Sequence, residues 1–420
     1  MDVWLAALIF VATYVVIATE RVHKTVAALG GGVLMIVFQI LDQDEAFAAI
    51  DFNVIFLLLG MMVIANIMRK TGVFQWVAIR AVQLAGGQPW RILVVLCLIT
   101  AIASAFLDNV TTVVLIGPIT LYVAAAMRVS PVPYLIAEIL ASNIGGTATL
   151  IGDPPNILIG SAAGYDFGTF TLNMAPASIL VFAGFLILAR FMFGPELARQ
   201  RDGLVIADLD PSGVITDFRM MRISAVVMLA TIIGFVIAGP LGYEPATVAL
   251  LGASAILLLA RGDPAEILAE VEWTTLLFFV GLFIVVEGVI RVGIIEAFAN
   301  ELFSATRGDV TLTSLALLWV SGLASGIVDN IPYTATLIPV VQQLGARGVE
   351  LDPLWWSLAL GADLGGNSTI IGASANVIIV SLAARSGHEI RFGAFLRYGI
   401  ATVVLSLAIA SLYVWVRYLL

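Results

Sequence analysis

Twelve apolar runs, separated by short polar turns, decide what this chain can fold into: 3–19, 25–41, 52–68, 90–127, 134–163, 176–193, 223–240, 245–260, 273–290, 312–344, 354–384 and 398–416. Crossing the hydrocarbon of a bilayer takes about 20 helical residues, and the longest runs have room to enter and return. Of the 420 residues, 61% are hydrophobic and 12% charged, with a mean hydropathy of +1.06. That is more apolar surface than one water-soluble core can hide. Backbone inside lipid has to satisfy its own hydrogen bonds, which runs of this length do as helices. The expected fold class is an all-α polytopic membrane protein. The first run opens on Asp2, without a basic segment or a small-x-small cleavage site, and reads as a retained helix rather than a secretory signal.

Several function classes fall away on residue inventory. Cys97 is the sole cysteine and rules out an internal disulfide or a thiolate cage, while His23 and His388 stand in loops far apart in sequence, so no metal cluster is expected. A formal charge of −9 argues against nucleic acid, whose phosphates demand concentrated Lys and Arg. The two lysines, Lys24 and Lys70, are not in a Gly-Lys-Ser/Thr loop, so no phosphate-driven motor is expected in the chain itself. No cofactor is expected beyond a coupling ion, a proton or sodium.

The chain repeats itself. Asp51-Phe-Asn-Val-Ile-Phe-Leu-Leu-Leu-Gly60 is answered by Glu272-Trp-Thr-Thr-Leu-Leu-Phe-Phe-Val-Gly281, and Gly72 by Gly293. At that same spacing Leu107-Asp108-Asn109-Val110 meets Val328-Asp329-Asn330-Ile331, and Pro118 meets Pro339. One residue less aligns Gly145-Gly-Thr-Ala-Thr-Leu-Ile-Gly152 with Gly365-Gly-Asn-Ser-Thr-Ile-Ile-Gly372, and Asn156 with Asn376. The organisation read from this is a first repeat over 1–193, a polar linker over 194–221 carrying Arg199, Arg201, Asp202, Asp208, Asp210 and the Pro211-Ser212-Gly213 turn signal, and a second repeat over 222–420.

Taking 90–128 and 311–346 as re-entrant hairpins sorts the basic residues. One side receives Arg21, Lys24, Arg69, Lys70, Arg80, Arg91, Arg128, Arg190, Arg199, Arg201, Arg219, Arg222, Arg261, Arg385, Arg391 and Arg397; the other receives Arg291, Arg307, Arg347 and Arg417. The positive-inside rule makes the first side cytoplasmic and places both termini outside. Each half then holds five membrane spans, one of them broken (133–163 and 353–385), plus its hairpin. With an odd number of spans the halves are inverted, an architecture that goes with alternating access around a midplane site.

Each hairpin tip carries a carboxylate, in Phe106-Leu107-Asp108-Asn109-Val110-Thr111-Thr112 and in Ile327-Val328-Asp329-Asn330-Ile331-Pro332-Tyr333-Thr334. Asp and Asn are good N-caps and Pro332 suits a first turn, so capping alone is one reading; ionisable groups at membrane depth are costly and usually functional. The other motif pair, Asn143-Ile-Gly-Gly-Thr-Ala-Thr-Leu-Ile-Gly-Asp-Pro-Pro-Asn156 and Asp363-Leu-Gly-Gly-Asn-Ser-Thr-Ile-Ile-Gly-Ala-Ser-Ala-Asn376, cannot remain ordinary helix. Close glycine packing accounts for Gly145, Gly146, Gly365 and Gly366 but not for Asp153, Asn156, Asp363, Asn367 and Asn376. Glu138 and Glu287 are explained equally by snorkelling and by function, and the tryptophans, Trp355 and Trp356 included, read as interfacial anchors.

These tips and Gly-Gly motifs resemble the ion transporter superfamily that includes arsenite permeases, sodium/proton antiporters and sodium-coupled dicarboxylate carriers. Leu135-Ile-Ala-Glu-Ile139 with the motif at 143–156, and Asp329-Asn-Ile-Pro-Tyr-Thr-Ala-Thr-Leu-Ile-Pro339, look like the arsenite-permease and melanosomal P-protein branch. The resemblance spans nearly the whole chain. It implies scaffold helices over 1–70 and 222–291, a transport domain of hairpins and broken helices, elevator-like movement, often a homodimer, and in this family a soluble ATPase as an optional partner. Where the dicarboxylate branch carries Ser-Asn-Thr, this chain has Asp108-Asn109-Val110 and Asp329-Asn330-Ile331, and two carboxylates repel a dicarboxylate while suiting a cation, a proton or a neutral hydroxylated solute.

The leading expectation is thus a transporter, not an enzyme, in a prokaryotic inner membrane, exporting arsenite or antimonite as the uncharged trihydroxide against protons. The solute is expected among Asp108, Asn109, Thr111, Gly145, Gly146, Thr147, Asn156, Asp329, Asn330, Thr334, Gly365, Gly366, Asn367 and Asn376, with Asp108, Asp153, Asp329 or Asp363 taking the proton. The rival is sodium/proton antiport, in which the same carboxylates and unwound carbonyls hold a hard cation. A channel, and an intramembrane aspartyl protease with two aspartates sharing one proton, rank behind it.

Overall fold

The computed structural model describes residues 2–19, 21–199, 213–260 and 262–420. Among them there is helix and no strand. The first half runs α1 (Asp2–Thr19), α2 (Lys24–Val37), a short α3 (Gln43–Ala48), α4 (Phe52–Lys70), α5 (Val73–Leu84), α6 (Pro89–Phe106), α7 (Asn109–Met127), α8 (Val132–Gly146), α9 (Pro154–Ala163) and α10 (Phe167–Arg199). The second repeats that series as α11 (Phe218–Ala238), α12 (Pro245–Leu259), α13 (Pro264–Ala269), α14 (Trp273–Arg291), α15 (Ile294–Thr306), α16 (Val310–Ala324), α17 (Asn330–Ala346), α18 (Leu351–Gly365), α19 (Ser374–Arg385) and α20 (Phe392–Val414). Eight of the described helices are long and apolar enough to span a bilayer.

Small residues let matched helices touch backbone to backbone, which is how helices gain contact where lipid offers no hydrophobic drive. A Cβ on Gly60 of α4 would overlap the Ala249 backbone of α12, and one on Gly281 of α14 would overlap the Ala28 backbone of α2. These are the same pair of positions, once in each half. The hairpin arms repeat the device: Gly145 of α8 lies on Ala101 of α6, and Gly365 of α18 on Gly322 of α16. The packing therefore follows the duplication seen in the sequence.

Two amphipathic helices, α5 and α15, fall outside the apolar runs because each buries only one face: Ala78, Ile79 and Val82 in α5, Ile295 and Ala299 in α15. Each opens at a glycine in the left-handed region, Gly72 (φ 79°) and Gly293 (φ 81°), which explains why both halves place glycine there. The structure departs from two expectations. Trp355 and Trp356 are not interfacial anchors; both are buried, and the Trp356 ring stacks on Tyr165 with centroids 4.5 Å apart. Glu138 does not snorkel; it is buried and accepts a 2.6 Å hydrogen bond from the Thr120 hydroxyl.

Within the stretch 194–221 read as linker, α10 continues through Arg199 and α11 begins at Phe218. Arg201, Asp202, Asp208, Asp210, Pro211 and Ser212 lie outside the described residues, as does Arg261. The end of the linker is tied back to α4, where the Thr216 amide donates to the Thr71 carbonyl (3.1 Å) and its hydroxyl to the Lys70 carbonyl (2.8 Å). Gly281→Val and Gly60→Val are expected to lower the melting temperature in detergent, at an overpacking cost of about 1–3 kcal/mol each. Gly30→Ala, with open space around its Cβ, should be neutral or stabilising in the same scan.

Candidate functional site

Two hairpin tips and one helix break meet at a single carboxylate. At the first tip Asp108 caps α7, accepting from the Thr111 amide (2.8 Å) and hydroxyl (2.5 Å); at the second, Asp329 caps α17 through the Ile331 amide (3.1 Å). Capping satisfies amides that would otherwise face the membrane interior unpaired, and it fixes the next residue. Asn109 donates to Oδ2 of Asp153 (2.9 Å), and Asn330 donates to Oδ1 (3.2 Å). The tip asparagines of both halves thus hold the two oxygens of Asp153.

Asp153 is free for this because of the prolines after it. It occupies the N-cap of α9 but makes no capping bond; Pro154 and Pro155 bring no N–H to the first turn, so there is less to cap. Asn156 and Asn376 close the breaks. Asn156 donates to the Gly146 and Thr149 carbonyls (3.2 and 3.0 Å), and Asn376 to those of Gly366 and Thr369 (both 2.8 Å). Between the breaks, Asn143 donates to Asn367 (2.9 Å) and Asn376 (3.0 Å). All of these polar residues are buried, and backbone carbonyls freed by unwinding find amides in place of water.

A cavity of about 290 Å³ borders this cluster, with Asp108, Asn109, Asp153 and Asn330 in its wall. Asp329 faces an adjoining cavity of about 310 Å³. Of the other residues singled out, Thr111 is bonded to Asp108, Thr147 donates to the Asn143 carbonyl (2.9 Å), and Thr334 is buried with an unpartnered hydroxyl. Gly145 and Gly365 face neighbouring helices, while Gly146 and Gly366 abut Gly152 and Gly372 across their own breaks. Asp363 is fully buried, and neither of its carboxyl oxygens has a hydrogen-bond partner.

Sequence reasoning missed Lys24 and Glu272, both in the cavity wall. Lys24, at the start of α2, forms an ion pair with Asp329 at 2.9 Å, with side chains 26% and 13% exposed, and donates to the Ser374 hydroxyl at 2.8 Å. The signal was present: one of two lysines stands at the head of an apolar run, and its repeat equivalent is Pro245, so the cation belongs to one half only. With Lys24 engaged by Asp329, the half-buried Asp108 and Glu272 together with Asp153 leave the wall acidic. The matched cavity of the other half, about 220 Å³ and lined by Asn53, Ser161 and Glu244, does not reach Asp153.

A helical membrane fold with paired broken helices, two hairpin tips and a polar cavity between them is the build of a membrane transporter. Residues 14–361 match the CitMHS citrate transporter family model, and the chain belongs to that family. An uncharacterized transporter of Mycobacterium tuberculosis is 42% identical over 421 residues, covering 98% of both chains. The P protein of Homo sapiens is 32% identical over 503 residues, covering 99% of this chain and 60% of that one. The solved structure of the YdaH transporter of Alcanivorax borkumensis superimposes with a TM-score of 0.63 at 16% identity, covering 99% of this chain and 97% of that one, which shows a shared fold.

Removing the Lys24 charge strands a mostly buried carboxylate. Lys24→Met is expected to cost about 2 kcal/mol, read as a lower melting temperature, and Lys24→Met with Asp329→Asn should recover most of it. A double variant no more stable than Lys24→Met would show that the pair is not coupled.

Proposed function

We propose that this transporter is a proton-coupled secondary carrier that exports a small neutral hydroxylated solute, arsenite or antimonite trihydroxide, with sodium/proton antiport as the alternative. The observation that carries the reading is the wall of the 290 Å³ cavity, where Asp108, Asp153 and Glu272 outnumber the one lysine, itself paired with Asp329. Carboxylates are acceptors, and a trihydroxide brings three O–H donors and no charge to repel. Citrate, named in the family description, brings negative charge to the same acidic wall, and the electrostatics disfavour it as a free anion.

In this reading α1, α2, α4 and their counterparts form a scaffold, and the hairpins and broken helices move past it as an elevator, in a homodimer. Contacts between the two sets support a sliding boundary made of few polar bonds. Besides Lys24 with Asp329, the Tyr14 hydroxyl donates to the Pro332 carbonyl (2.9 Å), and the Ser161 hydroxyl to Asp51 (2.5 Å). His23 and Lys24 line the cavity, and the positive-inside rule makes the side on which they stand cytoplasmic, with both termini outside and the bacterial plasma membrane as the protein's place. A soluble ATPase is not needed by a proton-driven carrier.

Proteoliposomes loaded with a pH dye separate the readings. Arsenite or antimonite should drive proton movement without sodium, and citrate should not. Sodium-driven proton movement without arsenite would establish the antiporter instead, and citrate-dependent uptake would overturn the electrostatic argument. Asp108→Asn and Asp153→Asn are expected to fold and to lose coupled transport; wild-type turnover in either would remove that residue from the mechanism.

A further inference from the structure

Asp363 and Asn143 occupy the same place in the two halves, each two residues before a Gly-Gly pair in α18 and α8. Their surroundings match as well. The Asn143 amide donates to Oδ1 of Asn376 (3.0 Å) and Oδ1 of Asn367 (2.9 Å). Asp363 has as its neighbours Asn156 and Thr147, the repeat equivalents of those two residues. The donors beside that carboxyl group are already engaged with backbone. Both N–H bonds of Asn156 are committed to the Gly146 and Thr149 carbonyls, and the Thr147 hydroxyl is committed to the Asn143 carbonyl. Neither oxygen of Asp363 has a hydrogen-bond partner, and Oδ1 of Asn156, which the symmetry of the halves sets where Oδ1 of Asn376 stands beside Asn143, is itself buried without one.

Asp363 and the Asn156 side-chain oxygen, both buried and both without a donor, are an unstable arrangement. A proton on Asp363 resolves it, because the carboxylic acid O–H then supplies to Asn156 the bond that the Asn143 amide supplies to Asn376. The other aspartates do not need one: Asp153 is held by Asn109 and Asn330, Asp108 by Thr111, and Asp329 by Lys24. We infer that Asp363 is protonated in this conformation and is the group that takes up and releases the coupling proton, an assignment that rests on the proton-coupled reading above.

In this proposal the proton leaves the Asp363 oxygen for a carboxylate oxygen of Asp153, which borders the cavity. One O–H bond breaks, one forms, and the proton then passes to cavity water. The transfer requires Asp153 to exchange its hydrogen bonds to the tip asparagines, so it is tied to hairpin movement. Of the other ionisable groups on segments packed against α18, Glu138 accepts from Thr120, Asp329 pairs with Lys24, Tyr333 bonds Ser321, Tyr413 donates to the Asn173 carbonyl, Arg417 and Tyr418 donate to the Asn173 side chain, Arg190 lies over the Trp90 ring, Glu196 is exposed, and the buried Tyr134 hydroxyl has no partner. Tyr398 stacks on Phe193, and Arg397 is exposed.

Infrared difference spectroscopy of the whole protein in lipid, combined with proton flux, tests this. The wild type should show the carbonyl stretch of a protonated carboxylic acid that Asp363→Asn removes. Asp363→Asn, which restores an amide donor as at Asn143, should keep the wild-type melting temperature and lose pH-dependent proton movement. Asp363→Ala, which leaves Asn156 unpaired, should melt lower than Asp363→Asn. An acid band unchanged in Asp363→Asn, or proton flux in that variant with the wild-type pH profile, overturns the assignment while leaving proton coupling intact. A wild type that moves solute without protons overturns the proton-coupled reading itself. A sodium-dependent rise in melting temperature lost in Asp363→Asn, with no acid band, would show that a cation rather than a proton completes the site.

Discussion

The structure depends on one constraint: backbone unwound inside a membrane has to be hydrogen-bonded by the protein itself. At 147–153 and 366–373 the helices break, and their freed carbonyls are met by the amides of Asn156 and Asn376. The asparagines spend their donors on the backbone, so their side-chain oxygens turn inward, and the residues facing them have to supply hydrogen. Asn143 does so on one side; the symmetric position on the other side is a carboxyl group.

Small departures from symmetry carry the chemistry. The duplication by itself produces two tips, two breaks and two sets of glycine contacts. Asp363 replaces an asparagine, Lys24 replaces a proline, and Pro154-Pro155 replaces a serine and an alanine. Each substitution has a physical result: a buried carboxyl group without a partner where the other half has an amide donor, an ion pair that neutralises one tip and not the other, and an Asp153 released from capping to bind both tip asparagines. A perfectly repeated chain would have had two equivalent half-sites, whereas here the cavity of one half reaches Asp153 and the matched cavity of the other does not.

Hydrogen-bond commitments also separate residues that composition lumps together. Asparagines 109, 143, 156, 330, 367 and 376 look interchangeable in the motifs. Asn156 and Asn376 clamp backbone, Asn109 and Asn330 hold Asp153, and Asn143 joins the two breaks. The tip asparagines are the ones that border the cavity, and they sit on the hairpins, the elements whose displacement would change what Asp153 can bind.

The helical membrane class, the twofold repeat and the position of both breaks were legible in the residues, because lipid imposes a length on apolar runs and because glycine and proline disrupt helices wherever they stand. Asp108, Asn109, Asp153 and Asn330 were likewise visible as polar residues in apolar surroundings. The amphipathic helices α5 and α15 were not, since half their faces are polar, and neither was the burial of Trp355 and Trp356. Lys24 and Asp329 stand some three hundred positions apart in the chain, and the donor count around Asp363 depends on which carbonyls Asn156 reaches. Local rules act over a few residues, but pairing across the fold is set by which helices cross, and that is settled only when small residues bring their backbones together.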